Sequence, residues 1–369
     1  MRVLCVLMMA AVCASNAPAQ SSGGTRSGRK PAAISSTQQA AGGASQQATE
    51  AKQSAESKKP GSKKPSSKKP SSKKPSSKEP GSKKPGSKKP KSKKARAPFN
   101  WVNPLPESSV PGLKHATFLS PSLGSDVGYL ILFPAGYERT EQRYPVVYYL
   151  HGGRPGNESK NYLLAGPIQT LMKSSGMAPS IYVFVNGGPV SHYDMPDDDR
   201  AQGASVFIKE LIPHIDSTYR TIADRSGRGL EGFSQGGRGT MRLALRYPHL
   251  FCSAAAGGGG YESEKRISDS GGFESPSLRF EKGDNAWDLA TAYGGRRTGP
   301  NVSWMIYVGT QGFNYENNLD YMRFLSKIGI KFERLVVPGV SHSASGIYTK
   351  AGEQIMRFHV KNFKHAQSK

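Results

Sequence analysis

A single serine stands among glycines at residues 232–237, which read Gly-Phe-Ser-Gln-Gly-Gly. A short strand-like run precedes this segment, and residues 238–247 place apolar side chains at helical spacing. A strand that turns sharply into a helix needs glycine two positions to either side of the turn residue, because larger side chains would collide there. The pattern therefore predicts a strand, a tight turn and a helix, with the hydroxyl group of Ser234 exposed at the turn.

Strand-like and helix-like segments alternate through the rest of the chain. Apolar runs typical of buried strands lie at residues 145–150, 181–185, 251–256, 304–308 and 332–337. Amphipathic helical patterns lie at residues 205–218, 319–328 and 347–363. Residues 114–119 and 127–133 are expected to pair as antiparallel strands across Gly124 and Ser125. This alternation predicts an α/β domain with a mostly parallel central sheet, helices on both faces, and ligands at the carboxyl ends of the strands.

The beginning of the chain has the pattern of a secretory signal. Arg2 is followed by an apolar stretch at residues 3–12 and by Ala-Pro-Ala at residues 17–19, so residues 1–19 are expected to be a cleaved signal peptide. The stretch is too short to span a bilayer comfortably, and no other run is long and apolar enough. A secreted, periplasmic or cell-surface protein without a transmembrane segment is therefore expected. Of the three cysteines only Cys252 lies beyond the signal, which excludes an intrachain disulfide in the mature chain.

The net charge of +24 is concentrated in one segment. Residues 57–96 contain sixteen Lys, one Arg and one Glu, which gives +16, whereas residues 97–369 carry only +5. The segment repeats Ser-Lys-Lys-Pro with a period of five and has no aromatic residue. Such a sequence has nothing to bury, and its like charges repel, so residues 20–96 are predicted to be a disordered low-complexity linker. The folded domain is predicted to occupy residues 97–369.

Two functions are open for the lysine-rich segment. It is either a solvated spacer or an electrostatic tether to an anionic surface such as wall polymer, acidic polysaccharide or lipid head groups. Because no aromatic side chains are available to stack on bases, nucleic acid would be bound only through its phosphate charge. No specific nucleic-acid partner is expected.

A serine hydroxyl is a weak nucleophile at neutral pH and needs a base within hydrogen-bond distance. His342 follows the last predicted strand and precedes a helix, and hydrolases with this architecture place the base in that loop. We therefore predict Ser234 as nucleophile and His342 as base.

The developing oxyanion needs hydrogen-bond donors. Residues 151–154 read His-Gly-Gly-Arg and directly follow the apolar run at residues 145–150. The backbone N–H groups of Gly152 and Gly153 are predicted to form an oxyanion hole together with the N–H group of Gln235, the residue after the serine. Such chemistry requires no metal ion and no organic cofactor.

These features resemble the putative esterase family of the α/β-hydrolase superfamily. That family includes esterase D (S-formylglutathione hydrolase), feruloyl and acetyl-xylan esterases, enterochelin esterases and mycolyltransferases. The resemblance covers residues 112–363 and is carried by residues 132–137 (Leu-Phe-Pro-Ala-Gly-Tyr), 144–153, 210–220, 232–237 and 340–342. It implies an α/β-hydrolase fold and hydrolysis of a carboxylic ester, on a small molecule or a polysaccharide, through an acyl-enzyme on Ser234.

The chain departs from the family at the acid that orients the histidine. The resemblance implies an aspartate in a Gly-x-x-Asp setting after the strand at residues 304–308, but residues 309–312 read Gly-Thr-Gln-Gly. Gly312 thus occupies the position of the acid. Glu316 and Asp320 are the nearest replacements, with Glu316 favoured because it is closer to the strand end; the alternative is that both lie on the surface of a helix. Three functions follow: an exported serine esterase, a catalytically impaired binding protein, or an acyltransferase.

Two further loops follow strands at the same edge of the predicted sheet. Residues 192–194 (His-Tyr-Asp) are expected either to line the substrate entrance or to form a solvated loop. The glycine run at residues 257–260 either leaves room for substrate or is a flexible turn.

Overall fold

The computed structural model describes residues 98–105 and 110–368. The predicted signal peptide and the predicted lysine-rich linker lie outside the described residues, so both stay predictions, as does the domain boundary at residue 97. Within the described part of the chain, the helices are all too short or too polar to cross a lipid bilayer.

Strands and helices alternate along the described chain. The strands are β1 (Leu113–Ser120), β2 (Ser125–Leu132), β3 (Val146–Leu150), β4 (Ile181–Val185), β5 (Asp194–Met195), β6 (Asp198–Gln202), β7 (Arg228–Phe233), β8 (Ser253–Gly257), β9 (Phe273–Ser275), β10 (Leu278–Arg279), β11 (Ser303–Gln311) and β12 (Glu333–Ser341). The α-helices are α1 (Ala165–Ser174), α2 (Gly203–Ser205), α3 (Ile212–Thr218), α4 (Gln235–Arg246), α5 (Tyr261–Asp269), α6 (Ala286–Gly295), α7 (Tyr315–Lys327) and α8 (Ala344–Gln367). A π-helical segment, Val206–Leu211, joins α2 to α3.

The central sheet has the strand order β1-β2-β4-β3-β7-β8-β11-β12. β1 and β2 are antiparallel to their neighbours, and the strands from β4 to β12 in this order are parallel. The mostly parallel α/β sheet predicted from the sequence is therefore confirmed, as is the antiparallel pairing of β1 with β2. The chain order reverses at β3, which has β4 on one side and β7 on the other. Such a reversal opens a crevice at the carboxyl ends of β3 and β7, where ligands bind in open α/β sheets.

Burial on both faces explains why the central strands β3 and β4 are apolar at every position. In β3, Val146, Tyr148 and Leu150 pack into the core on one face of the sheet, while Val147 and Tyr149 pack into the core on the other face. A strand covered by helices on both sides has no solvated face and loses the alternation of half-buried strands. β3 is thus packed into the core on both faces. Its carboxyl end leads directly into the His-Gly-Gly segment at residues 151–153.

Candidate active site

Ser234 lies in the turn between β7 and α4, as the glycine pattern predicts. Its backbone is left-handed, with φ 61° and ψ −114°, which is rare for a residue other than glycine. A Cβ atom on Gly236 would lie 1.9 Å from the carbonyl oxygen of Leu150, and one on Gly237 would lie 2.1 Å from that of Gly257. The turn is therefore pressed against the ends of β3 and β8, where only glycine fits. This packing holds the strained serine with its hydroxyl at the carboxyl edge of the sheet.

The structure brings His342 to the serine. His342 follows β12, and its Nε2 atom lies 2.9 Å from the Oγ atom of Ser234. The imidazole ring contacts the rings of Phe233 and Phe313, with centroid separations of 4.8 Å and 4.3 Å. Burial lowers the pKa of His342 below its usual value. The ring is therefore neutral at pH 7 and able to accept the serine proton.

The third residue of the site is Asn314, which the sequence analysis missed. Its Oδ1 atom lies 3.1 Å from Nδ1 of His342, and its side chain is buried. The assignment of Glu316 to this role is wrong, because Glu316 is exposed in the first turn of α7, whereas Nδ1 of His342 faces Asn314. Asp320 is also exposed and pairs with Arg323. The residue just before α7, rather than one within it, faces the histidine.

The segment predicted to form the oxyanion hole lies beside the serine at Gly152. A Cβ atom on Gly152 would lie 3.2 Å from Cβ of Ser234, so the His-Gly-Gly segment passes beside the nucleophile. Gln235 is the first residue of α4, where N–H groups have no acceptor within the helix. Among the residues that the structure describes, the N–H groups of Gly152, Gly153 and Gln235 have no hydrogen-bond partner. These three donors are available for an oxyanion.

Side chains hold the carbonyl groups of this segment. His192 Nε2 is 3.1 Å from the oxygen of His151, His151 Nδ1 is 3.1 Å from the oxygen of Gly152, and Ser191 Oγ donates to the oxygen of Gly153 at 2.6 Å. In a trans peptide the C=O and N–H groups point in opposite directions. Fixing these oxygens therefore fixes the direction of the following N–H groups.

Both supporting histidines are neutral. Burial lowers the pKa of His151 to about 4, and burial together with the neighbouring His151 lowers the pKa of His192 well below its usual value. Ser191 and His192 have positive φ angles of 51° and 68°, a strain that is typical of functional loops. His192 and Tyr193 are fully buried. For these two residues, the expectation of a place at the substrate entrance or in a solvated loop is therefore wrong; Asp194 is half-buried.

An ion-pair cluster anchors the side chain next to the nucleophile. Nε of Arg238 donates to Oε1 of Gln235 at 2.7 Å. Arg238 and Arg154 both donate to Oε2 of Glu274 at 2.9 Å. Although burial opposes ionisation, the two guanidinium groups hold the pKa of Glu274 below its usual value. The cluster thus ties the first turn of α4 to the segment that carries Arg154.

The glycine run after β8 contacts Asn314. Nδ2 of Asn314 donates to the carbonyl oxygens of Gly258, at 2.5 Å, and of Gly259, at 3.2 Å. Gly259 N donates in turn to Oδ1 of Asn318 at 3.1 Å. The run is therefore a hydrogen-bonded support of the site rather than a free turn.

Comparison with known proteins finds relatives that are described as esterases. A family model described as "Putative esterase" matches residues 120–305. The chain is 30% identical over 152 residues to "Esterase Rv1288" of Mycobacterium tuberculosis (strain ATCC 25618 / H37Rv), covering 40% of this chain and 32% of that protein. It is 28% identical over 172 residues to an "Endo-1,4-beta-xylanase/feruloyl esterase" of Xylanibacter ruminicola, covering 42% of this chain and 23% of that protein.

A solved structure of a ferulic acid esterase matches with a TM-score of 0.57 and 22% identity, covering 68% of this chain and 98% of that one. At this identity the likeness shows the fold alone, which is that of the α/β hydrolases. The chain spans about a third or less of the length of the curated relatives it matches.

Proposed function

Because the chain belongs to the putative esterase family of the α/β-hydrolase superfamily, we propose that it hydrolyses a carboxylic ester through an acyl-enzyme on Ser234. The observation that carries this proposal is the 2.9 Å contact between Oγ of Ser234 and Nε2 of His342. A neutral imidazole at this distance can take the hydroxyl proton as the oxygen attacks.

In the first step, Oγ of Ser234 forms a bond to the ester carbonyl carbon while its proton passes to Nε2 of His342. The carbonyl oxygen becomes an oxyanion that the N–H groups of Gly152, Gly153 and Gln235 bind. The carbon–oxygen bond to the alcohol then breaks, and His342 returns the proton to the departing alcohol. This leaves the acyl group on Ser234.

In the second step, water replaces the alcohol. His342 takes a proton from the water molecule as its oxygen attacks the acyl carbon, and the same N–H groups bind the second oxyanion. The bond to Ser234 breaks, the serine regains a proton from His342, and the carboxylic acid leaves. Attack by a second alcohol instead of water would make the protein an acyltransferase.

The acyl group that we propose is aromatic, carried on a wall polysaccharide. The ring of Phe313 is 84% exposed although it contacts His342. An exposed aromatic ring beside the base supports stacking of an aromatic acyl group there. One of the curated relatives is named a feruloyl esterase, which is consistent with this substrate class.

We also propose that the protein is exported and that its lysine-rich segment holds it at an anionic surface. The signal pattern at residues 1–19 and the charge of +16 at residues 57–96 support this. Binding of the full chain to anionic vesicles or wall polymer should weaken steeply as salt is raised. Binding that does not change with salt would refute the tether.

One observation favours a second candidate function, a binding protein with impaired catalysis. The partner of Nδ1 of His342 is the neutral amide of Asn314 instead of a carboxylate. Replacing a triad aspartate by asparagine in a serine protease lowers kcat about 10⁴-fold. A folded protein that binds an acylated polymer without hydrolysing it would support this alternative.

The deciding experiment measures hydrolysis of p-nitrophenyl acetate and of methyl ferulate by the full chain and by Ser234→Ala. The matched control is Ser217→Ala, which removes an exposed hydroxyl on α3 that donates to the oxygen of His214. We expect Ser234→Ala to abolish turnover and Ser217→Ala to leave it unchanged. Equal rates in the wild type and Ser234→Ala would refute the proposed esterase activity.

A further inference from the structure

His342 can act as a base only in one of its two neutral forms. Nε2 must carry the lone pair that accepts the serine proton, so the ring hydrogen must be on Nδ1. An asparagine beside Nδ1 selects that form only if its oxygen faces the ring. If the amide were reversed, its NH₂ group would donate to Nδ1 and favour the inactive form.

The surroundings of Asn314 fix the orientation of its amide. The Nδ2 atom faces two carbonyl oxygens, those of Gly258 at 2.5 Å and Gly259 at 3.2 Å. Reversal of the amide would place Oδ1 against these two acceptor oxygens and would remove the donor of the Gly258 oxygen in a buried site, and both effects are unfavourable. The oxygen of Asn314 is therefore held against Nδ1 of His342.

A second buried amide supports this arrangement. Asn318 is fully buried, and its Nδ2 atom donates to the oxygens of Gly259, at 3.0 Å, and Asn314, at 2.8 Å. Its Oδ1 atom accepts from Gly259 N at 3.1 Å. The two asparagines and the glycine backbone form a connected network in which each amide has defined donors and acceptors.

We propose that Asn314 is the positioning residue of this site and that the pocket is built for a neutral amide rather than for a carboxylate. Asn314 accepts the Nδ1 hydrogen of His342 and so keeps Nε2 free to accept the serine proton. This inference rests on the proposed function, because it assigns a role in the same reaction.

A carboxylate would not fit the same pocket. An aspartate at position 314 would direct one oxygen at Nδ1 of His342 and the other at the oxygens of Gly258 and Gly259, which are acceptors. The second oxygen would have to be protonated to make the bond to Gly258 that Nδ2 makes now. In the described part of the chain, the His342 ring contacts the side chains of Ser234, Asn314, Phe233 and Phe313. All four side chains are uncharged.

The test compares Asn314→Leu and Asn314→Asp with a matched control in the full chain. The control is Asn317→Leu, which removes a surface amide on α7 that donates to Glu262. Two readouts are used: kcat/KM on p-nitrophenyl acetate, and the ¹⁵N signals of His342, which report the ring tautomer without requiring activity. His342→Gln identifies those signals by their loss.

We expect Asn314→Leu to lower kcat/KM by about 10²-fold or more and to shift His342 toward the Nε2–H form. We expect Asn317→Leu to leave both readouts unchanged. Asn314→Asp should not exceed wild-type kcat/KM at pH 7, and its Tm should fall by roughly 5 °C or more. This fall should be larger at pH 8 than at pH 5, because the protonated carboxyl group fits the pocket better than the ionised one does.

The positioning role is overturned if Asn314→Leu keeps the Nδ1–H form and a kcat/KM within about twofold of Asn317→Leu. A tenfold or greater gain in Asn314→Asp would overturn the amide-specific pocket and identify Asn314 as a degraded aspartate. If the wild type itself hydrolyses no ester, the proposed function fails, but the ¹⁵N signals still decide whether Asn314 sets the tautomer. If Asn314→Leu does not fold, Asn314→Asp provides both readouts.

Discussion

Replacing His192 by phenylalanine tests whether the side chains behind the oxyanion hole contribute to catalysis. His192 is fully buried, and its Nε2–H group donates to the carbonyl oxygen of His151 at 3.1 Å. The peptide that carries this oxygen also carries the N–H group of Gly152, one of the three proposed oxyanion donors. Phenylalanine keeps a ring of similar size but removes the donor. The change therefore loosens the peptide without opening a cavity.

The loss of this one hydrogen bond determines the expected changes in stability and in kcat. The orphaned carbonyl of His151 should lower the free energy of unfolding by about 1–3 kcal/mol. If the lost bond weakens the preference for the productive peptide orientation by about 1.4 kcal/mol, kcat should fall about tenfold. Complete loss of one oxyanion donor costs about 10²–10³ in kcat, which is the upper limit for His192→Phe.

The matched control is His359→Phe. His359 is also fully buried; its Nδ1 atom is 2.8 Å from Oγ of Ser253, and its Nε2 atom is 3.6 Å from Oε2 of Glu231. It lies in α8, and in the described part of the chain its ring contacts Ser253, Glu231, Phe358 and Phe363 rather than the proposed catalytic residues. Urea unfolding should give comparable losses of stability in the two variants, whereas kcat on p-nitrophenyl acetate should fall only in His192→Phe. Equal kcat values in the two folded variants would refute the reasoning.

Three further predictions follow from other parts of the structure. Phe313→Ala should raise KM for methyl ferulate several-fold and leave KM for p-nitrophenyl acetate nearly unchanged; equal effects on both esters would contradict aromatic stacking. Gly236→Ala should yield little folded protein, because its Cβ atom would lie 1.9 Å from the oxygen of Leu150, whereas Gly295→Ala, with open space around it, should fold normally; circular dichroism distinguishes them. Because burial lowers the pKa of His151 to about 4 while the unfolded chain titrates near 6.5, the unfolded state binds more protons between these values. The free energy of unfolding should therefore fall by up to about 3 kcal/mol from pH 7 to pH 4 through this group, and urea unfolding that is independent of pH would contradict its buried neutral state.

Ser234 and His342 were predictable because the pattern that identifies each of them is formed by its neighbours in the sequence. Ser234 and His342 each follow a strand and precede a helix, and the glycines at the turn are required by backbone contacts of less than about 3 Å at Gly236 and Gly237. Parallel strands bring their carboxyl ends to one edge of the sheet, so the two residues were expected to meet there. The structure places them within hydrogen-bond distance.

Asn314 could not be found in the same way. Its role depends on the carbonyl oxygens of Gly258 and Gly259, which are more than fifty residues away in sequence. No spacing rule connects an asparagine to a distant glycine backbone, and the Gly-x-x-Asp pattern of the family indicates position 312 rather than position 314. The burial of His192 was missed for a related reason, because the hydrogen bond that its ring makes in the described part of the chain is to a distant backbone oxygen.

The small hairpins were also absent from the sequence interpretation. β5 and β6 pair outside the central sheet, and so do β9 and β10. β9 has three residues and β10 has two, which is too short for the alternation of polar and apolar residues that identifies a strand. Their positions depend on tertiary contacts, such as that between Glu274 and the two arginines.

The most direct test of the central claim is to treat the full chain with a fluorophosphonate probe and to locate the adduct by peptide mass spectrometry. Attack by an activated serine forms a P–O bond and releases fluoride, with His342 taking the hydroxyl proton. We predict one adduct, on Ser234, that forms quickly in the wild type and far more slowly in His342→Ala. Absence of an adduct on Ser234 in the folded wild type, or equal rates in His342→Ala, would contradict a nucleophile activated by this histidine.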